Sequence, residues 1–221
     1  MREDDAVSPY KRSAVAARMF RDADGRVIEY GSRWVGSPPD DSYSVTAHPE
    51  RYEPLHTVAD ALITHLRATY DVTVEEGPAV ATDLSLTDLD IIRSVRVRPN
   101  NSRSASLTFA FTGYPGVTVH AGLLHDFVYP PCGCDACDTI WEGEADDLER
   151  LVFAVVAGGY RESITNGRRP WVEHALRYAD GSSSGQSRAE DFPPERLAAA
   201  RPVLRNLPEG WDAWPRAERK P

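Results

Sequence analysis

The run of residues 91–129 constrains the fold most, because its residues alternate between apolar and polar over successive short segments. One side of the alternation carries Leu107, Phe109 and Phe111 in one segment, and Val117, Val119 and Ala121 in the next. A period of two is typical of strands with one buried face. Gly113–Gly116 separates the two segments with a proline between glycines, which favours a tight turn. The pattern therefore predicts an antiparallel hairpin, whose second strand continues to Tyr129 with a bulge at Gly122.

Two longer segments have the three- and four-residue spacing of helices. In residues 54–70 the apolar face is formed by Leu55, Val58, Ala59, Leu62, Ile63 and Leu66. A second helix is predicted over residues 144–157, with acids at its start and Gly158 at its end. Further strands are expected at residues 71–75, 160–165 and 171–179. Together these elements predict a single α+β domain: an antiparallel sheet of about five to six strands packed against two main helices.

The ends of the chain give weaker patterns. Residues 8–21 predict a short helix and residues 26–34 a strand, so we expect residues 1–48 to form an N-terminal extension packed on the body. The body, residues 49–221, is expected to be one α+β domain with a short C-terminal tail. Glycine and serine over residues 181–185 predict a flexible loop, and residues 194–200 predict a last helix that ends before Pro202.

All three cysteines of the 221 residues, Cys132, Cys134 and Cys137, lie within six positions. Such crowded cysteines cannot form a disulfide framework for a domain of this size, whereas a C-x-x-C spacing lets two thiolates bind one zinc ion. Zinc needs a fourth ligand, and His125 is the first candidate because it lies on the strand that leads into the loop. Other candidates for that position are His120, His174, Asp135, Asp138 and water. Four protein ligands would indicate a structural site, and three plus water an open one.

Two other interpretations of the cysteines remain open. A redox pair is disfavoured because Asp135, Asp138, Glu142 and Glu144 should oppose formation of a thiolate. The cysteines could also be small residues in a tight turn without a chemical role. The metal interpretation is the one that we favour.

The charge of the chain excludes some classes of partner. Lys and Arg number 25 against 34 Asp and Glu, which gives a formal net charge of -9. This acidic balance disfavours binding to nucleic acid and to anionic membranes. The first residues lack the apolar segment of a secretory signal, and no run of about 18 apolar residues occurs. The sequence therefore predicts a cytoplasmic protein.

Two runs, His120–Phe127 and Pro131–Asp138, carry a resemblance to a known family. With the segment Pro54–Leu62 they resemble an actinobacterial family of domains of unknown function with a CGCDACD signature. The likeness extends over about residues 49–214. It implies a bacterial cytoplasmic protein and gives no catalytic role to any residue.

Three hypotheses of function follow. The first is a non-enzymatic binding or regulatory protein, stapled by zinc at the cysteine loop, with a protein or small-molecule partner. The second is an enzyme with an open metal or thiol site that joins Cys134 and Cys137 to His125 and Asp126. The third is an acidic protein that neutralises a basic toxin. No catalytic residue is assigned by the sequence.

Overall fold

The structure is a computed structural model that describes residues 9–218. In chain order its elements are β1 (Phe20–Arg21), β2 (Val27–Ile28), α1 (Pro54–Thr69), β3 (Val72–Glu76), β4 (Ile91–Pro99), β5 (Leu107–Thr112), β6 (Val117–Ala121), β7 (His125–Tyr129), α2 (Trp141–Val156), β8 (Tyr160–Ile164), β9 (Trp171–Tyr178), β10 (Gly181–Arg188) and α3 (Pro194–Arg205). Strands β3 to β7 form one antiparallel sheet in sequential order, and β8 to β10 form a second. The predicted α+β class, antiparallel sheet and single domain are confirmed.

The hairpin predicted at Gly113–Gly116 joins β5 to β6, as its proline and glycines indicated. The predicted bulge at Gly122 is wrong, because Ala121 pairs directly with His125 and the chain turns between them. Gly122 has φ +70°, and a Cβ on it would lie 2.1 Å from the carboxylate of Glu162. The turn therefore needs glycine, and β7 is a separate strand.

The two faces of the five-stranded sheet differ in chemistry. One face packs its apolar side chains against α1 and α2, and this layer is the hydrophobic core. The other face carries buried polar residues, among them Ser94, Thr108, Thr118 and His120. A short 3-10 helix, Pro78–Asp83, contacts this second face. A buried polar layer needs internal hydrogen bonds, so this face is a place to search for function.

The loop predicted at residues 181–185 is wrong, because these residues lie in β10, which pairs along its whole length with β9. Serine and glycine have low strand propensity, but the hydrogen bonds that join two strands are formed by main-chain groups, which every residue of β10 supplies. Helix α3 also continues to Arg205, past the predicted end before Pro202. The tail then packs on the body, with Trp211 and Trp214 both buried.

The N-terminal prediction is partly wrong. Residues 9–19 form no helix, and the predicted strand at residues 26–34 reduces to β2. The reason is long-range: Tyr10 and Arg12 bind the carboxylate of Glu149 on α2 and hold this segment, without regular secondary structure, against the body. The part of the predicted helix at residue 8, and the rest of residues 1–8, lie outside the described residues.

Within residues 9–218, no helix is both long and apolar enough to cross a bilayer.

Candidate metal centre

The sulfur atoms of Cys132, Cys134 and Cys137 form a nearly equilateral triangle. Their separations are 3.3 Å from Cys132 to Cys134, 3.3 Å from Cys134 to Cys137, and 3.2 Å from Cys137 to Cys132. Three sulfurs at this spacing can all reach one ion at a Zn–S distance of about 2.3 Å. A tetrahedral site would spread them only slightly further, to about 3.8 Å. The loop thus presents three converging thiol ligands.

Local backbone geometry produces this convergence. The amide of Cys137 donates to the carbonyl of Cys134 at 3.2 Å, which closes a tight turn between the two cysteines. The next residue, Asp138, has φ +52° and reverses the chain at the end of the turn. Ser44, which also has a positive φ of +58°, directs its amide toward the sulfur of Cys134. Backbone amides that point at sulfur favour thiolate over thiol.

The thiols of Cys134 and Cys137 differ in pKa because the three cysteines share hydrogen bonds. Backbone donation by Cys137, together with the thiols of Cys132 and Cys137, lowers the pKa of Cys134 to about 7. Donation to Cys132 and Cys134 raises the pKa of Cys137 to about 12. One thiolate is therefore accessible near neutral pH, and a bound cation would displace the remaining thiol protons.

The acids that the sequence led us to expect would oppose the thiolate do not prevent a lowered pKa at Cys134, and one of them, Asp135, is neutralised. Asp135 is 5% exposed, and its carboxylate lies 3.6 Å from the guanidinium of Arg33 and 3.5 Å from that of Arg51. The amide of Ala47 also donates to it at 3.2 Å. Asp138 accepts the amide of Arg33 at 2.8 Å. Both carboxylates bind the N-terminal segment, and neither belongs to the group that could share an ion.

The N-terminal segment, residues 30–52, clamps the cysteine loop through main-chain contacts. The amide of Asp135 donates to the carbonyl of Val45 at 2.7 Å, and that of Ala136 to the carbonyl of Ser42 at 3.1 Å. Arg51 is 3% exposed and donates to the carbonyl of Gly133 at 2.9 Å. Its guanidinium lies 4.2 Å and 4.5 Å from the ring centroids of Tyr30 and Tyr52, as cation–π contacts require. The loop and the segment thus form one interlocked unit.

His125, the predicted fourth ligand, lies in a different cluster. The group of side chains that could hold one ion contains the three cysteines alone, among the residues described. Nδ1 of His125 lies 3.0 Å from the carboxylate of Glu162, and its ring packs 4.6 Å from that of His174. Burial, and then the proximity of His125, lower the pKa of His174 to about 4. The structure therefore brings both histidines to Glu162 and not to the sulfurs.

His120 and Asp126, the other predicted candidates, pair with each other. They face each other across β6 and β7, with Nδ1 of His120 2.6 Å from a carboxylate oxygen of Asp126. The second oxygen of Asp126 accepts the amides of Ser85 and Leu86, at 2.7 and 2.8 Å. This pair lies on the polar face of the sheet and is distinct from the cysteine loop.

Comparison with known proteins places the whole arrangement in a family. A family model matches residues 16–218, which include the cysteine loop, its N-terminal clamp and both histidine clusters. The chain belongs to DUF6226, a family of unknown function. No curated protein and no solved structure matches the chain. The features of this DUF6226 chain must therefore be interpreted from its own geometry.

Sequence reasoning missed Arg33, Arg51 and Glu162. Glu162 did have a signal, since it occupies a position between Tyr160 and Ile164 on the face of β8 where an apolar residue is expected. A charged residue at such a position indicates a buried polar partner. The two arginines gave no such signal, because their partner Asp135 lies far along the chain.

Glu144, in the first turn of α2, makes the stability of this DUF6226 chain depend on pH. Burial, and then the charge of Asp147, raise its pKa to about 7. A carboxyl whose folded pKa is raised stabilises the fold at low pH and loses that contribution as pH rises through about 7. Glu144→Gln should therefore stabilise the protein by about 1–2 kcal/mol at pH 8 and much less at pH 5, as urea unfolding would show.

The matched control is Glu142→Gln, which removes the same charge from the same turn at an exposed position. We expect this variant to show no gain at pH 8. An equal effect of the two substitutions at both pH values would contradict the raised pKa of Glu144.

Proposed function

We propose that Cys132, Cys134 and Cys137 bind one Zn²⁺, and that the protein is a binding or regulatory protein stapled by this ion. The observation that carries the proposal is the convergence of three sulfurs to separations of 3.2–3.3 Å in a loop that residues 30–52 clamp. Thiolates select soft and borderline metals, and zinc is the usual one for a C-x-x-C turn. The low pKa of Cys134 supports loading near neutral pH.

The position of the loop supports a structural role. It connects the end of β7 to the start of α2, and its main chain binds Ser42, Val45 and Arg51. An ion at the sulfurs would hold the loop in the shape that these contacts require. The division of the chain into an extension, residues 1–48, and a body, residues 49–221, is part of the same proposal. In this proposal the metal fixes the extension to the body.

In this proposal, the fourth coordination position of the zinc is where a partner binds. Among residues 9–218, no histidine, carboxylate or further cysteine joins the three sulfurs. Cys132 and Cys137 are exposed to solvent. Water, a small-molecule ligand or a side chain of a protein partner would complete a tetrahedral zinc site here.

The enzymatic alternative has less support. It requires His125 and Asp126 beside the sulfurs, but these side chains are engaged by Glu162 and His120. Because His125 does not belong to the group of side chains that converge on one point with the sulfurs, it is not placed to act as general base at the cysteine loop. The binding or regulatory function is therefore the better supported of the two.

Elemental analysis of the untagged protein tests the proposal. We expect about one zinc per chain in the wild type, with thiols that react only after a chelator is added. Cys134→Ser should lose most of the zinc. The control is Thr139→Ser, which keeps the hydroxyl that contacts Tyr52 and the carbonyl of Cys132, and should retain the ion. Less than about 0.2 zinc per chain, with three freely titrating thiols, would refute the proposal.

A further inference from the structure

A cleft of about 830 Å³ lies on the polar face of the five-stranded sheet, and none of the three cysteines lines it. Its walls come from β4, the end of β6, residues 82–87 and helix α3. The polar and charged residues among those that line it include Asp83, Ser85, Arg96, Arg98, His120 and Arg196. The hypotheses drawn from the sequence did not use this cleft.

His120 presents one unused nitrogen to the cleft. One carboxylate oxygen of Asp126 accepts two backbone amides, and the other oxygen accepts a third hydrogen bond from Nδ1 of His120. That assignment leaves Nε2 as the free nitrogen of the ring. Nε2 has no hydrogen-bond partner within residues 9–218. It is also not fully buried, so a ligand in the cleft can reach it. His120 is thus oriented by Asp126 and can accept a proton from the cleft.

Arg196 supplies a fixed positive charge to the same cleft. Its guanidinium donates to the hydroxyl of Ser85 and to the carbonyls of Thr82 and Asp83, all of which are neutral groups. No carboxylate of the described residues forms an ion pair with it. Arg96, by contrast, is neutralised by a bidentate pair with the Asp83 carboxylate at 2.6 Å for both bonds.

Of the three arginines that line the cleft, Arg196 is the one whose charge favours an anion. Arg98 forms an ion pair with Glu75 at 2.9 Å, and Arg96 forms ion pairs with Glu75 and Asp83. Asp83 is satisfied by Arg96 and by the hydroxyl of Thr108, at 2.6 Å. The chain as a whole carries a charge of -9, so the charge of Arg196, without a carboxylate partner among the described residues, is a local exception.

We propose that this cleft binds a small organic ligand through a carboxylate or phosphate group, held between Arg196 and Nε2 of His120. The guanidinium forms charge-assisted hydrogen bonds to such oxyanions, and Nε2 shares the proton of the ligand's acidic group. The apolar part of the ligand lies along Ala199, Ala200 and Val203 of α3, which form the adjacent wall. Asp126 is a positioning residue in this site, because it acts through His120.

The test follows the ring signals of His120 by NMR while inorganic phosphate or acetate is added to the full chain. His120→Gln assigns the signals by removing them. We expect a saturable shift with at least one of the two anions, and which one saturates distinguishes a phosphate ligand from a carboxylate ligand. Arg196→Gln should weaken binding about tenfold or more, whereas Arg196→Lys should retain part of it.

The matched control is Arg188→Gln, because Arg188 stacks on Trp171 outside the cleft, and its loss should leave the affinity unchanged. No saturable shift with either anion up to about 50 mM would overturn the proposal, since a site built for an oxyanion should have a dissociation constant below that value. Equal affinity in Arg196→Gln and wild type would also overturn it. If Arg196→Gln does not fold, the affinities of Arg196→Lys and Arg188→Gln are compared instead. A lower affinity in Arg196→Lys alone supports the site, and equal affinities in the two variants refute it. None of these results depends on zinc.

Discussion

Replacement of Glu162 by glutamine should lower the free energy of unfolding by about 3–5 kcal/mol. The side chain of Glu162 is completely buried and accepts four hydrogen bonds. The amides of Leu123 and Leu124 donate at 3.1 and 2.9 Å. Nδ1 of His125 and the indole of Trp211 each donate at 3.0 Å. These hydrogen bonds offset the cost of burying the charge of Glu162, and the four buried donors need its oxygens as acceptors.

The amide of glutamine cannot replace this carboxylate. Glutamine has an NH₂ group in place of one carboxylate oxygen. Because each oxygen of Glu162 accepts two hydrogen bonds, this NH₂ group would face two donors in either orientation of the amide. Two buried donors would then be left without an acceptor, and each carries a desolvation cost of about 1–3 kcal/mol. Because Trp211 belongs to the C-terminal tail, its release should also shift the tryptophan fluorescence.

Urea unfolding followed by fluorescence measures this effect. Glu173→Gln is the control, since Glu173 lies on the neighbouring strand β9 and makes one bond, to Ser163 at 2.9 Å. We expect that control to cost less than about 1 kcal/mol. A loss of similar size in both variants would show that the Glu162 cluster contributes no more than an ordinary polar contact.

The elements that could be predicted from the sequence are those with local periodicity. Helix α1 matches its predicted bounds almost to the residue, because one apolar face and Pro54 at the first position define it. Strands β5 and β6 follow from alternation and from the turn between them. In these segments burial and local propensity point to the same structure.

The failures occur where distant contacts decide the conformation. Residues 9–21 are rich in alanine, which favours a helix, but Glu149 on α2 binds Tyr10 and Arg12 and holds the segment in a non-helical conformation. Strand β10 has almost no apolar residue, and it forms because β9 offers a free edge. Neither partner can be recognised from the segment itself.

The candidate site shows the same division. The three cysteines were predicted because their spacing is local, and the structure brings their sulfurs together. The fourth ligand was sought at His125, since it is close in sequence to the loop. Its partner Glu162 is 37 residues away along the chain, and the hydrogen bond between them fixes the ring elsewhere. Spacing along a strand gives the face of a side chain, but not the group that it meets.

Cys137→Ser should reveal whether the metal holds the fold together. If zinc staples the loop, the loss of one thiolate should lower the free energy of unfolding by about 3–5 kcal/mol, because metal binding and folding are coupled. Cys137 is exposed, so a cysteine without a metal should cost only about 1 kcal/mol on the same substitution. Chemical unfolding with and without a chelator separates the two cases, since wild type without zinc should then resemble the variant.

Hydrogen exchange locates the effect. The amides of Asp135 and Ala136 donate to Val45 and Ser42, so their protection reports the clamp between the loop and the N-terminal segment. We expect Cys137→Ser to expose these two amides while that of Phe109, in the central strand β5, stays protected. Thr139→Ser, which keeps all three sulfurs, should leave every one of them unchanged. Equal protection of these amides in Cys137→Ser and wild type would mean that the arginines and the main chain hold the loop without an ion. That result would contradict a stabilising role of the zinc.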